Sequence, residues 1–228
     1  MPFDNALVAW YFPARPPQVE LEFDCLTPTV ESPLGRYIDG MYRLDPFLHA
    51  FDRGLAPGFY RLADVAPDRF RKSDYYEHYF REAVGQDECQ LVCHVDNAVL
   101  SVSMGADRRY SSAVPRTLAP WLPLLLALVS QQTRLNDTAA RRSSVSGVPL
   151  ARPIRDALGR FGAGVLSARE AQVARLILQG HSPRSVAQEL RISAETVKTH
   201  RRHAYVKLGV QTSSALFALF ASGIPPSS

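Results

Sequence analysis

Apolar and polar residues alternate along this chain with two different periods. Val19, Leu21, Phe23 and Cys25 alternate with polar neighbours, the period of two that marks a half-buried strand. Leu34 to Phe51 has helical spacing, interrupted at Asp45-Pro46. Gly58 to Leu62 is a short strand candidate, and Arg69 to Val84 a helix rich in aromatic residues (Phe70, Tyr75, Tyr76, Tyr79, Phe80). Glu88 to Val95 and Ala98 to Met104 are strand-like runs around Asp96-Asn97, a hairpin turn signal. Ser112 to Arg134 returns to helical spacing despite Pro115, Pro120 and Pro123. A hairpin flanked by helices predicts an α+β domain, an α-β-α sandwich on a mainly antiparallel sheet.

The pattern then lapses. Asn136 to Gly147 is small and polar, the composition of a flexible linker. A short amphipathic piece, Pro153 to Phe161, and Gly162-Ala163-Gly164 follow. The expected organisation is therefore a domain over 1–135, a linker over 136–164 and a second domain over 165–228, with no internal repeat.

The second domain has purely helical spacing and strong end signals. Ser167 and Glu170 fit a capping box, in which each side chain takes the other's free backbone amide. The helix they start carries Val173, Ala174 and Ile177 on one face and ends at Gly180, a good residue just past a helix. Ser182-Pro183 opens the next helix, with Val186, Ala187 and Leu190 facing inward. Arg191-Ile192-Ser193 is a short turn, and Ser193 caps a third helix with Val197, Ala204 and Leu208 on its packing face. Two short helices joined by such a turn predict an all-α, four-helix helix-turn-helix domain, whose second motif helix enters the DNA major groove. Lys198, Thr199 and Arg202 fall on a separate, exposed face, where Lys and Arg can donate to guanine O6 and N7.

Charge sharpens this division. The chain of 228 residues has a net charge of +4. Ala151 to Ser228 contains 11 Lys and Arg against 4 acids, and the remainder 15 against 18. A basic C-terminal part beside a slightly acidic N-terminal part points to a polyanionic partner for the former. The three cysteines have no paired spacing; Cys89 and Cys93 share a strand face too far apart to bond, so all three read as reduced core thiols. The start lacks the pattern of a secretory signal, and Trp121 to Val129, broken by Pro123, is far short of the ~20 residues of a membrane span. A cytoplasmic protein with no membrane partner is expected. No nucleophile–base pair, phosphate loop or metal set appears, so neither an enzyme nor a cofactor is expected. His200 and His203 are three apart but lack a third ligand, and no metal site is assigned.

The C-terminal module resembles the LuxR/FixJ-type helix-turn-helix domain. The resemblance rests on Leu166-Ser167-Ala168-Arg169-Glu170, Gly180, Val186-Ala187, Leu190, Ile192-Ser193, Thr196-Val197-Lys198, His200 and Lys207-Leu208-Gly209-Val210. It implies a transcription regulator that binds double-stranded DNA as a homodimer. It places Lys198, Thr199 and Arg202 where the family reads base edges. Thr196, His200, Arg201 and Lys207 stand at or beside backbone contacts, and Ser182 joins the candidate DNA-binding set. The helix from Ser214 to Phe220 stands where the family dimerises, with Leu216, Phe217 and Phe220 as its apolar surface. Arg201 replaces a residue often aliphatic in the family, and Ser213 or Ser214 one that is often Arg.

In layout the first domain is similar to GAF/PAS-like or autoinducer-binding-like sensor domains. It lacks the acidic cluster and βα repeat of a receiver domain. Tyr42-Arg43-Leu44-Asp45-Pro46-Phe47 resembles the Asp-Pro of acyl-homoserine lactone receptors, which implies an Asp that accepts from a ligand amide. Tyr60 stands near their pocket aromatic. Tyr37 is one step off the matching spacing, where Ser32 and Arg36 stand instead. The candidate ligand-binding residues are Tyr42, Asp45, Tyr60, Tyr37 and Phe59. Two readings stand side by side: Asp45 as ligand acceptor, or Asp45 and Pro46 as the cap and first residue of a helix. The aromatic residues likewise line a pocket or form core. Control by a small molecule is the leading expectation; the alternative makes the first domain a protein-interaction module with no small ligand.

Overall fold

The computed structural model describes residues 3–12, 15–24, 33–128, 131, 158 and 161–222. Cys25 and most of the expected linker lie outside them. The described residues fall into two compact units. One draws on Met1–Ser32, Ala50–Val65 and Val84–Ile154, the other on Pro33–His49, Ala66–Ala83 and Arg155–Ser228.

The first unit is built on an antiparallel sheet of five strands: β1 (Asn5–Tyr11), β2 (Gln18–Asp24), β3 (Gly58–Arg61), β4 (Asp87–Val95) and β5 (Ala98–Ala106), in the order β2-β1-β5-β4-β3. The expected hairpin turns at Asp96-Asn97, with Asp96 at a φ of 50°. β1 is an addition to the expected strands, and it pairs with both β2 and β5. One sheet face presents Leu91, Cys93 and Leu100, packed with Val8, Trp10, Phe59 and Val102 and covered by Leu122, Leu125 and Leu126. Those leucines belong to a segment that begins as helix Ala113–Leu118, tightens to a 3₁₀ turn at Ala119–Trp121, where Pro120 cannot donate, and is helical again over 122–128. Cys89 and Cys93 lie on this face, buried and unbonded. Burial pushes their thiols up to about 12 and about 11.

The second unit is helical. Helices α1 (Pro33–Asp39) and α2 (Pro46–Asp52) flank a 3₁₀ turn, Met41–Leu44. The expected helix from Arg69 to Val84 divides at Ser73. A 3₁₀ turn, Phe70–Lys72, precedes it, and a helix follows over 74–83, whose middle, Tyr76–Phe80, is a π-turn. Ser73 ends one piece and starts the next: its hydroxyl donates to the Phe70 carbonyl at 2.6 Å and accepts from the Tyr76 amide at 3.2 Å. The aromatic stripe is core, with Phe70 packed edge-on against Phe80 at 5.2 Å between ring centres. We label the C-terminal helices α3 (Ala168–Leu178), α4 (Pro183–Leu190), α5 (Ala194–Leu208) and α6 (Ser213–Ala221). Val173, Val186, Ala187 and Val197 form their shared core, supported by Leu176, Ile177, Leu190 and Ile192. The fold is thus an antiparallel α+β part and an all-α helix-turn-helix part, as the pattern predicted.

Candidate nucleic-acid interface

The four C-terminal helices are set by their caps. Ser167 Oγ accepts from the Glu170 amide, and Glu170 Oε2 accepts from the Ser167 amide at 2.8 Å, the reciprocal pair of a capping box. Ser182 Oγ accepts from the Ser185 amide at 3.1 Å and Ser193 Oγ from the Thr196 amide at 3.0 Å. Thr212 caps α6, accepting from the Ala215 amide at 3.0 Å. Between α4 and α5 the chain reverses through Arg191, in the left-handed region at φ 54° and ψ 48°. That one residue makes the tight turn of the helix-turn-helix.

Val197, Ala204 and Leu208 of α5 are buried, His200 and Tyr205 are half-buried, and the rest of the helix is exposed. Lys198, Thr199 and Arg202 are all exposed and, at three- and four-residue spacing, share a face with Glu195 and Val206. Lys198 Nζ pairs with Glu195 Oε2 at 3.0 Å, an exposed contact easily exchanged for another anion. The Thr199 hydroxyl donates to the Glu195 carbonyl at 3.2 Å. Thr196, His200 and Lys207 lie on the neighbouring face, with Thr196 and Lys207 exposed and His200 half-buried. Arg201 is exposed. Ser182 is buried, its hydroxyl committed to capping α4. Lys207 Nζ donates to Glu170 Oε2 at 2.7 Å, so this cation also ties α5 to the capping box of α3. The Lys207 hydrogen bond, with the Ser167 amide, holds the Glu170 carboxyl down to about 2. Among the described residues no three His, Cys, Asp or Glu side chains gather as a metal site.

The five candidate ligand residues divide between the units. Tyr37, Tyr42 and Asp45 come together: the Tyr37 hydroxyl donates to Asp45 Oδ2 at 2.6 Å, and the Tyr37 and Tyr42 rings meet edge to face at 6.2 Å. Asp45 Oδ1 accepts from the Phe47 amide at 2.8 Å, which starts α2 just ahead of its Pro46. Asp45 is buried, and burial raises its carboxyl above the usual range despite those hydrogen bonds. Phe59 and Tyr60 are neighbours on β3 and so point to opposite sheet faces. Phe59 joins the leucine-covered face, and the Tyr60 hydroxyl donates to the Ala56 carbonyl at 3.1 Å.

A polar group that the sequence pattern did not single out lies on the Tyr60 side of the sheet. Glu88, Gln90, Ser101 and Ser103 are all buried there. Gln90 Nε2 donates to Glu88 Oε1 at 2.6 Å, Ser101 Oγ to Gln90 Oε1 at 2.5 Å, and Ser103 Oγ to Glu88 Oε1. The signal available in the sequence was a Glu and a Gln two apart in a strand facing two Ser two apart in the next.

Four capped helices, a short turn and an exposed basic face on the third define a helix-turn-helix DNA-binding protein. Residues 164–220 match the family described as "Bacterial regulatory proteins, luxR family". A relative from Aeromonas salmonicida, named as an HTH-type transcriptional regulator in the exeN 3′ region, is 33% identical over 183 residues, 77% of this chain and 92% of the relative. The chain belongs to the LuxR family of bacterial transcription regulators. Among solved structures it is similar to the VqsR LBD domain from Pseudomonas aeruginosa, with 27% identity, a TM-score of 0.52, and coverage of 60% of this chain and 80% of that one. It also aligns with Escherichia coli SdiA at 18% identity and a TM-score of 0.41, over 97% of this chain and 84% of that one. No helix among the described residues is long and apolar enough to cross a membrane.

Proposed function

We propose that this regulator reads a specific duplex sequence as a homodimer, under the control of a small molecule held by its N-terminal domain. The observation that carries the DNA reading is the exposed Lys198–Thr199–Arg202 face on a helix whose other side is fixed in the core. Lys198 and Arg202 reach base edges, while Thr196, His200, Arg201, Lys207 and the start of α4 at Ser182 serve the phosphates. Arg202→Ala is expected to lose ~1–3 kcal/mol of discrimination at one base pair. Arg201→Ala is expected to weaken all sequences alike and to lower the salt slope by ~1. Binding assays on operator and mismatched duplexes across salt concentrations read both effects. Parent-like behaviour of both variants would discard this assignment of α5.

Dimerisation is supported by an apolar stripe on the 113–128 segment. Trp121, Leu124 and Leu128 are each more than half exposed, while Leu122, Leu125 and Leu126 face the core. Leu124→Glu is expected to shift a dimer towards monomer in sedimentation equilibrium, and an unchanged mass would remove this surface from the proposal. The residues expected to form a second contact on α6 do not offer one: Leu216 and Phe217 are buried in the protomer, because the apolar face of this short helix packs inward, and the Phe220 ring packs edge-on against Phe161.

Small-molecule control is supported by the likeness to the VqsR ligand-binding domain over 60% of the chain, more than the helix-turn-helix module contains. One observation favours the second reading, in which the first domain meets a protein partner: both Asp45 oxygens already accept from this chain. Native mass spectrometry of the purified protein separates the two, since a retained small molecule supports the first and full DNA affinity with no ligand the second.

A further inference from the structure

Within the second unit, an open cleft of about 840 Å³ separates two walls that both carry cations. One wall is the segment 69–74, with Arg69 and Lys72, and the other includes α5, with Lys198, Arg201 and Arg202. Among the described residues only Asp74 and Glu195 bring carboxylates to the cleft. Glu195 is already paired with Lys198 at 3.0 Å, and Asp74 is half-buried, 3.8 Å from His78 Nε2. Arg69, Lys72, Arg201 and Arg202 are exposed and have no ion-pair partner among the described residues. Backbone contacts tie the two walls together. The Arg69 amide donates to the Gly180 carbonyl at 3.0 Å, and the Ser182 amide donates to Asp68 Oδ1 at 3.0 Å. Gly180 has a φ of 91°, and a Cβ there would come within 2.9 Å of the Phe70 backbone, so the approach is as close as a glycine permits.

We propose that this cleft is a binding site for a small oligophosphate, a ligand with a chain of two or more phosphates, held between Arg69 and Lys72 on one wall and Arg201 and Arg202 on the other. Cations gathered round one volume repel each other until an anion lies between them. Two cationic walls facing across a cleft suit a chain of phosphates, which meets both at once, better than a single phosphate. Each Arg supplies paired N–H donors that match two phosphate oxygens, and Lys supplies a mobile point charge. The volume falls within the roughly 300–1,000 Å³ of small-molecule sites. Because the walls are tied together, the cations stand ready before the ligand arrives, and less freedom is lost on binding. Half-buried Tyr205 and exposed Val206 also line the cleft and offer a nucleoside an apolar surface beside the phosphates. A nucleoside polyphosphate and inorganic polyphosphate are thus two sources of the same chemistry. The cleft includes Lys198 and Arg202, which the DNA-binding reading above assigns to base edges, so on that reading the oligophosphate and a duplex compete.

The test titrates the full chain with ATP and, separately, with inorganic triphosphate, by isothermal titration calorimetry at constant ionic strength. Both are expected to bind with a dissociation constant below roughly 1 mM. Arg69→Ala and Lys72→Ala change exposed side chains outside the helix-turn-helix, and each is expected to weaken binding roughly tenfold through loss of a charge-assisted hydrogen bond. Arg81→Ala removes an exposed cation that does not line the cleft and is expected to bind like the parent. Equal affinity for the two probes supports recognition of the phosphate chain alone, and tighter binding of ATP supports an added contact with the nucleoside. No binding of either probe up to about 1 mM overturns the site, as does a loss in Arg69→Ala and Lys72→Ala no greater than in Arg81→Ala. Competition is read by fluorescence anisotropy of a labelled random-sequence duplex. Triphosphate is expected to release it from the parent, and potassium chloride of equal ionic strength to leave it bound. Equal release by the two salts overturns the competition. A parent that binds triphosphate but no duplex at low salt overturns the DNA reading and leaves the oligophosphate site standing.

Discussion

Alanine at Glu170 is expected to cost the helix-turn-helix about 3 kcal/mol. Loss of a capping residue contributes ~1 kcal/mol. Loss of hydrogen bonds to a buried charge contributes ~1.5–3 kcal/mol, held towards the low end because Lys207 is partly open to water. A module of this size has only ~3–9 kcal/mol in hand at ~0.05–0.15 kcal/mol per residue, so the variant should be visibly unfolded at moderate temperature. Acid gives the same interaction a signature. The folded carboxyl titrates at about 2 against 4.5 when unperturbed. Its contribution is therefore complete above pH 4.5 and is lost as pH falls from there towards 2. The parent should lose thermal stability across that window, and Glu170→Ala should lose much less. Equal acid sensitivity in the two proteins would assign the effect to another carboxylate.

Asp45→Ala is expected to be nearly as damaging, at about 3 kcal/mol, and Asp45→Asn close to harmless. Alanine removes the acceptor that starts α2, worth ~1 kcal/mol, and leaves the buried Tyr37 hydroxyl without its partner, worth ~1–3 kcal/mol. Asparagine keeps an acceptor for the Phe47 amide and a polar group for Tyr37, and it abolishes a buried negative charge. Because burial raises the folded carboxyl above 3.8, its contribution is largest below pH 3.8 and is lost as pH rises through the folded value. The asparagine variant escapes that loss, so its urea midpoint at neutral pH should match or exceed the parent's. A midpoint as low as that of Asp45→Ala would show that the charge itself is needed. Should a ligand amide also bind here, Asp45→Asn would keep its stability and lose the ligand's stabilising effect.

The helix-turn-helix was legible because its determinants are local. Ser167 with Glu170, Ser182 with Pro183, and Ser193 each fix a helix start within four residues, and the buried face of α5 follows from spacing alone. The sheet was harder. β1, Asn-Ala-Leu-Val-Ala-Trp-Tyr, lies between two strands, and its nearly unbroken apolar run lacks the period of two that betrayed β2. Glu88 and Gln90 sit where alternation suggests a solvent face, yet that face is buried and they are satisfied by Ser101 and Ser103 from the next strand. The break at Ser73 was hidden because a hydroxyl that ends a 3₁₀ turn looks, in sequence, like any helical serine. The contacts of Asp68 with Ser182 and of His78 with Phe217 join residues more than a hundred positions apart, and no local pattern announces them.

The two thiols of β4 have a practical use. With titration pushed to about 12 and about 11, Cys89 and Cys93 hold almost no nucleophilic thiolate at neutral pH, and both are walled in by the sheet's own packing. An alkylating reagent therefore reaches them only when β4 has come away from its cover. Their rate of capture is a clock for opening of the five-stranded sheet, and it runs without any engineered label. Because neither thiol lies in the helix-turn-helix, the clock keeps time on one half of the protein while DNA engages the other.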